Sequence, residues 1–285
     1  MDNLYNETKS IMKKYGIYAN KSLGQNFLID ENVVESIVNS ANITKEDLVI
    51  EIGPGLGTLT KELLKKAGKV ICIELDEKMI RILQDRFENL EVINNDVLKV
   101  DLNSLINEEM CKTSIQSAKI VANLPYYITT PIIMKLLEEK LNIESITVMI
   151  QKEVADRLVS LPGEKLSGAI TYSVYYYATA EKVLEVPNNS FIPEPEVTSE
   201  VIKLNLRKEV PIKVEDEKLL FKIIKLAFMQ RRKTLVNALS NGNLFKNKEQ
   251  IYTMLKELSI DEKIRGEALT LEQYAEITNW IIDNI

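Results

Sequence analysis

The sequence predicts an α/β fold, a parallel sheet with helices on both faces, followed by a smaller all-helical C-terminal domain. Three observations predict it. Residues 45–206 alternate β-branched runs with helix-like segments, the pattern of successive βαβ units. The first of these runs ends in glycines, Gly53-Pro54-Gly55-Leu56-Gly57, as a tight strand-to-helix turn requires. After Pro211 the strand signal disappears and the apolar spacing becomes helical.

Leu48–Ile52 is the first strand and Thr58–Ala67 the helix after it. Val70–Leu75 and Glu77–Phe87 repeat the strand–helix pair. Glu91–Asn94 and Lys119–Ala122 read as strands three and four, Thr130–Glu139 as a helix, and Ser145–Ile150 as strand five. Val183–Val186 and Val197–Leu206 flank the link Phe191-Ile192-Pro193-Glu194-Pro195 and are expected as an antiparallel pair at the sheet edge. Leu219–Phe228, Thr234–Leu239, Lys248–Leu258 and Leu271–Ile282 read as helices, with Asp261 and Thr270 as N-caps. The boundary falls near Lys208–Pro211. It divides residues 1–208, with an N-terminal extension over 1–30, from a helical domain over 209–285. In a sheet of this kind ligands bind outside the carboxyl ends of the strands.

Composition narrows the chemistry. A chain of 285 residues fits two domains. It contains no histidine, which removes His-dependent triads and His-ligated metals. Cys72 and Cys111 are too few for a Cys-only zinc site, so no metal is expected and two reduced thiols are. The N-terminus has acids and no apolar core, unlike a signal peptide. No apolar run reaches about 18 residues, so no membrane segment is expected and the chain reads as cytoplasmic. The net charge is −6, but residues 1–30 carry four lysines and three acids, and residues 208–285 carry 13 basic and 12 acidic residues. The acid is concentrated between them, which leaves room for basic faces at both ends.

Glycines after a first strand let a ligand approach the backbone, and the amides there bind polar groups. Glu74 closes the second strand, 21 positions after Gly53, where an acid accepts hydrogen bonds from both hydroxyls of a ribose. A nicotinamide-dinucleotide fingerprint would carry Gly or Ala at position 58, where this chain has Thr58. The Gly-x-Gly-x-Gly spacing suits a nucleoside without a pyrophosphate, such as S-adenosylmethionine. The plain alternative is a tight turn with a solvated acid. Asp96, after the third strand, reads either as a partner for an adenine exocyclic amine or as a turn aspartate.

Asn123-Leu124-Pro125-Tyr126 stands at the carboxyl end of the fourth strand. An adenine amino nitrogen is a poor nucleophile because its lone pair is delocalised into the ring. An Asn side-chain oxygen and a backbone carbonyl, held rigid by Pro125, can accept both N–H bonds and free that lone pair. Tyr126 can stack on the base. Methyl transfer from a sulfonium is governed by alignment more than by acid–base catalysis, so it needs no histidine. The alternative is a structural strand-end turn.

These segments resemble the ribosomal RNA adenine N6-dimethyltransferases, and within them the bacterial small-subunit (16S) type. Lys21-Ser22-Leu23-Gly24-Gln25-Asn26-Phe27-Leu28, Glu51–Gly57, Ile73-Glu74-Leu75-Asp76, Asn123–Tyr126, Gln151–Leu158 and Ser190-Phe191-Ile192-Pro193 carry the likeness, in the family's order. The resemblance implies a Rossmann-like class I S-adenosylmethionine-dependent methyltransferase domain with a helical RNA-recognition domain. It implies that Asn26, Leu28, Gly53, Gly55, Glu74, Asp96 and Asn123 bind the cofactor. Asn123, Leu124, Pro125 and Tyr126 would hold the target adenine, with Phe191 as a second aromatic wall. From spacing alone Asn26 reads as a helix cap and Phe191 as core. The implied substrate is the 3′-terminal hairpin of small-subunit RNA in an immature 30S particle, where two adjacent adenines receive four methyls from a monomeric enzyme. A sister group acts on large-subunit RNA in macrolide resistance and typically has Ile where this chain has Leu124.

Gln230-Arg231-Arg232-Lys233 is expected to open a helix and to offer phosphate contacts through Arg231, Arg232 and Lys233, extended by Lys13, Lys14 and Lys21. Tyr172, Tyr175, Tyr176 and Tyr177 are expected to pack rather than to stack on bases. A non-catalytic assembly factor and a nicotinamide-dependent oxidoreductase are the competing readings. Thr58 and the missing histidine count against the oxidoreductase.

Overall fold

A computed structural model describes residues 3–19, 24–113 and 115–285. The elements run α1 (Asn3–Tyr15), β1 (Phe27–Leu28), α2 (Glu31–Ser40), β2 (Asp47–Ile52), α3 (Thr58–Lys66), β3 (Lys69–Glu74), α4 (Glu77–Arg86) and β4 (Glu91–Asn94). They continue with α5 (Leu102–Lys112), β5 (Ser117–Asn123), α6 (Thr129–Glu138), β6 (Ser145–Gln151), α7 (Lys152–Val159), α8 (Ala169–Tyr177), β7 (Ala178–Val186), β8 (Phe191–Ile192) and β9 (Ser199–Leu206). The last helices are α9 (Glu217–Met229), α10 (Leu235–Leu239), α11 (Lys248–Glu257) and α12 (Leu271–Asn284).

The chain forms two compact units. The first comprises Met1–Ala155 and Ala180–Leu206, the second Asp156–Thr179 and Arg207–Ile285. The chain passes into the second unit at 206/207, beside the expected boundary. The difference is the segment 156–179, which the sequence reading left in the first domain.

In the first unit the sheet order is β4-β3-β2-β5-β6-β9-β7. β4, β3, β2, β5 and β6 are parallel, and β9 returns antiparallel to β6. The expected edge pair is present as neighbours, with β9 inserted between β6 and β7. Every residue of β2 is buried, as a central strand covered on both faces must be. Strand order reverses between β2 and β5, and such a switch point opens a crevice at the strand ends. At the opposite end Lys119 Nζ lies 2.8 Å from Asp47 Oδ2, a buried pair that ties β5 to β2. The link before β9 leaves the large sheet, and β8 pairs antiparallel with β1, Leu28 opposite Phe191.

Helix caps decide several local questions. Asp30, not Asn26, caps α2, accepting from the Asn32 and Val33 amides. Asp96 caps a short 3-10 turn over Val97–Lys99. Thr270 caps α12 in a reciprocal capping box with Gln273, as expected. Asp261 instead closes a turn, accepting from Lys263 N, and starts no helix.

In the second unit the tyrosines pack. Tyr172 is fully buried, 5.5 Å from the Phe228 ring and 5.2 Å from Tyr274 at a near-perpendicular angle. Tyr177 stacks on Phe221, and Tyr176 meets that ring edge-on. These contacts draw α8 into the second unit. Both cysteines are free thiols, Cys72 buried and Cys111 exposed.

Candidate functional site

The carboxyl ends of β2, β3 and β5 frame one cleft with about 1110 Å³ of space between its walls, solvent at the mouth included. Asn26, Leu28, Gly53, Gly55, Glu74, Asp96, Asn123, Leu124, Pro125 and Tyr126 all line it. Residues from Asn26 to Tyr126 thus meet at the switch point.

The glycine loop forms the floor. Gly53, Gly55 and Gly57 have φ of 67°, 55° and 81°, the left-handed region that favours glycine. Gly53 N donates to Ile73 O at 3.0 Å, and Gly57 N to Pro54 O at 2.9 Å. Glu74 ends β3 and is buried. Its Oε1 accepts from the Leu75 and Asp76 amides, each at 2.9 Å, and its Oε2 accepts from Gly55 N at 3.2 Å. Burial pushes this carboxyl up, and the three amides offset only part of that. The loop and the acid are therefore one hydrogen-bonded assembly.

A second carboxyl, Glu51, lies in the same wall and is 1% exposed. Its Oε2 accepts from Thr60 Oγ1 at 2.6 Å and from Cys72 Sγ at 3.6 Å. Burial pushes it up to about 7, against the pull of these neutral donors. The sequence reading carried Glu51 only as part of the loop motif. Its place inside the apolar run Leu48-Val49-Ile50-Glu51-Ile52, typical of a strand buried on both faces, is the signal that its side chain is enclosed.

Asn123 stands where β5 ends. Its Nδ2 donates to Asn26 O at 3.3 Å, which leaves Oδ1 as the acceptor facing the cleft. Leu124 is buried, and its amide donates to Met149 O at 3.1 Å. Pro125 O accepts from Ile128 N at 3.2 Å and from Thr129 Oγ1 at 3.0 Å. The turn is thus fixed at every residue. The Tyr126 hydroxyl is 2.6 Å from Ser199 Oγ, which orients the ring. Tyr127, 60% exposed, stands beside it on the rim and covers Gly24. A second aromatic immediately after Tyr126 was the available signal for it.

Phe191 is placed differently from the wall that the resemblance implied. It is 1% exposed and packs in the core with Leu28, Val186 and Val201, off the cleft lining. The β1–β8 pairing explains this, because it turns Phe191 inward behind Leu28. Asn26 is on the cleft, its Nδ2 donating to Gly24 O. Gln25 Nε2 reaches Asp76 Oδ2 at 3.0 Å and joins the signature segment to the turn after β3. Lys21, Ser22 and Leu23 of that segment lie outside the described residues.

In the second unit Gln230–Lys233 opens no helix. It forms the turn between α9 and α10, closed by Lys233 N to Gln230 O at 2.8 Å. Arg231 pairs with Glu267 and donates to Lys165 O at 2.8 Å, while Arg232 and Lys233 are exposed. Lys14 pairs with Asp85 at 2.9 Å. Among the described residues no acidic or cysteine cluster could hold a metal ion, and no helix is long and apolar enough to cross a membrane.

A family profile described as ribosomal RNA adenine dimethylase matches residues 16–283. A protein named ribosomal RNA small subunit methyltransferase A from Alkaliphilus metalliredigens is 51% identical over 275 residues, 95% of each chain. One of the same name from Clostridioides difficile is 48% identical over 99% of this chain and 98% of its own. Among solved structures, a dimethyladenosine transferase from Plasmodium falciparum superimposes with a TM-score of 0.74. It is 26% identical, and the match covers 90% of this chain and 98% of that one.

Proposed function

The chain belongs to the ribosomal RNA adenine dimethylase family, and we propose that its cleft transfers methyl groups from S-adenosylmethionine to N6 of adenines in small-subunit ribosomal RNA. The residues present fit that cofactor. Glu74 offers a buried carboxylate at the strand end, where a ribose diol needs two acceptors. Asp96 holds Leu98 N through Oδ1, so Oδ2 is the oxygen for an adenine amine. Leu28, Ile52, Leu75 and Val97 supply apolar walls. When bound, the cofactor supplies an activated methyl on a sulfonium.

The chain's own part is alignment. Asn123 Oδ1 accepts one N6–H. With Pro125 O already committed, the Leu124 carbonyl is the backbone acceptor for the other. Two acceptors out of the ring plane favour a pyramidal nitrogen with its lone pair directed at the methyl. Tyr126, held by Ser199, provides the stacking face. The observation that carries the reading is that this turn and Glu74 open on one cleft.

The finer assignment is part of the proposal. The substrate is the 3′-terminal hairpin of small-subunit RNA in an immature 30S particle, with two adjacent adenines taking four methyls. A loop adenine is the easiest to unstack into a pocket. The enzyme acts as a monomer in the cytoplasm. Residues 1–208 carry catalysis. Residues 209–285 recognise RNA, through the exposed Arg232 and Lys233 and through Arg231. The order of signature motifs and the names of the relatives support this reading.

The test is transfer of labelled methyl to unmethylated small subunits, with large-subunit RNA in parallel. Up to four methyls per small subunit is the expected result. Label only in large-subunit RNA, or binding without transfer, would overturn it.

A further inference from the structure

Helix α1 precedes the stretch that the family profile covers, yet it is fastened to the back of the glycine loop. Glu7, on α1, engages two cations. Its Oε1 lies 2.7 Å from Arg86 Nη2 and its Oε2 lies 2.8 Å from Lys61 Nζ. Arg86 is the last residue of α4, and its Nη1 donates to the carbonyl oxygen of Leu56, inside the loop. The guanidinium is mostly buried, at 15% side-chain exposure. It lies 5.0 Å from the centre of the Phe87 ring. That ring also abuts the loop, since a Cβ at Gly57 would come within 2.5 Å of it. Apolar contact adds to the polar one. Ile11, Met12 and Tyr15 of α1 pack against a cluster that contains Leu56 and Phe27, and Phe27 in turn lies against Gly55.

We propose that Glu7 and Arg86 are positioning residues for the cofactor: Glu7 orients the Arg86 guanidinium, which fixes the Leu56 carbonyl and so the loop whose Gly55 amide holds Glu74. Helix α1 thereby sets cofactor affinity without touching the cofactor. The loop must present its amides and Glu74 in one arrangement, and Gly55 and Gly57 give its backbone wide freedom. A charge-assisted hydrogen bond to the intervening carbonyl removes that freedom. Binding to an ordered loop avoids the ordering cost that a loose loop would impose.

The proposal rests on the cofactor reading of the cleft, and its test separates the two. Binding of S-adenosylhomocysteine to the full-length protein is measured by calorimetry for wild type, Glu7→Ala, Glu7→Gln and Asp85→Ala. Asp85 is the control, because its carboxylate also ties down α1, accepting from Lys14 at 2.9 Å and from the Tyr15 hydroxyl, while its hydrogen bonds do not reach Arg86 or the Leu56 carbonyl. Glu7→Ala leaves Arg86 without its orienting partner and should weaken binding about tenfold, what losing the charge-assisted Arg86 bond to the Leu56 carbonyl would cost. It should raise the KM for the donor more than it lowers kcat and leave RNA affinity unchanged. Glu7→Gln keeps an oxygen for Arg86 and should recover most of the loss. Asp85→Ala should stay within about twofold of wild type, as surface pairs generally do.

Equal losses in Glu7→Ala and Asp85→Ala would mean that α1 acts only as a structural attachment, and would overturn the proposal. So would unchanged affinity in Glu7→Ala. A wild type that binds none would overturn the cofactor reading itself, and the brace with it. If Glu7→Ala loses its fold by circular dichroism, Arg86→Lys takes its place. It retains a cation for Glu7 but loses the fork that spans both partners; unchanged affinity there would equally overturn the proposal.

Discussion

Replacing Glu51 by Gln should stabilise the protein at about pH 8 and change it little at about pH 5. Glu51 is fully buried in β2, between Cys72 of β3 and Val121 of β5. Its donors, Thr60 and Cys72, are neutral, and the charge that acts on it, Glu74, is another acid that pushes the same way as burial. Its carboxyl is pushed from 4.5 up to about 7. The folded state therefore keeps a proton that the unfolded chain gives up at lower pH. Below the unfolded value both states are protonated and nothing is lost. Stability then falls as pH rises and levels off above the folded value, where ionised Glu51 costs on the order of 3 kcal/mol. Most of that cost, on the order of 2 to 3 kcal/mol, develops between about pH 5 and about pH 8. Gln is the isostere of the protonated form. Its oxygen accepts from Thr60 and Cys72 as the carboxyl does, and it does not titrate. The absence of histidine removes the side chain that would otherwise dominate this pH window. The assay is urea unfolding of wild type and Glu51→Gln across that range. The gap between the two curves should widen with pH, in favour of the variant. A constant gap would refute the reasoning, because it would mean that Glu51 titrates like an exposed carboxyl.

Glu74→Ala removes the carboxylate proposed for the ribose and should weaken S-adenosylmethionine binding by about one to two orders of magnitude, the worth of a charged hydrogen-bonding partner; unchanged affinity by calorimetry would take Glu74 out of the site. Asn123→Ala should reduce single-turnover methyl transfer by about a hundredfold while RNA affinity moves by less than about twofold, since the lost contacts matter for alignment; equal losses would make Asn123 a structural residue. Arg232→Ala and Lys233→Ala should each lower the salt slope of RNA binding by about one. Arg231→Ala, whose side chain is held by Glu267, should lower the stability of the second unit as well, read as its Tm.

The alternation of strands and helices was legible because a central parallel sheet demands continuous apolar runs, and β2, β3, β5 and β6 supply them. The cleft was legible for a related reason. Gly53, Gly55, Glu74 and Asn123 all fall where strands end, and strand ends can be counted along a sequence. What escaped depends on contacts between distant segments. Phe191 reads as core from its spacing, as the structure has it, but the pairing of β8 with β1, about 160 residues earlier, is encoded by no local pattern. Segment 156–179 joins the second unit through Tyr172, Tyr176 and Tyr177, whose partners Phe221, Phe228 and Tyr274 come 44 to 102 positions later. Asn26 lost the cap of α2 to Asp30, four residues on, where the helix begins. Residues 230–233 are expected to open the next helix, but they form the turn before it, closed by Lys233 N on Gln230 O, and α10 starts only at Leu235.

The cleft shows why this chemistry can do without a histidine. A general base helps when the nucleophile must lose its proton in the transition state. An amine that attacks an already activated methyl can shed its proton afterwards. What it needs beforehand is a defined lone pair. In the proposed site the turn after β5 would meet that need, because its other polar groups are committed: the Asn123 amide nitrogen to Asn26, the Leu124 amide to Met149, the Pro125 carbonyl to Ile128 and Thr129, and the Tyr126 hydroxyl to Ser199. The acceptors left to face the cleft are then fixed in direction before any substrate arrives. Rigidity placed there acts on the reaction itself, because misplacing the nucleophile costs rate even when binding is intact. On the proposed donor side, the glycine loop is bonded to Glu74 through the Gly55 amide and to Arg86 through the Leu56 carbonyl. The two halves of the site are thus held by different strands and different partners. A substitution that loosens the loop should appear in cofactor affinity, and one that loosens the turn should appear in the rate of transfer.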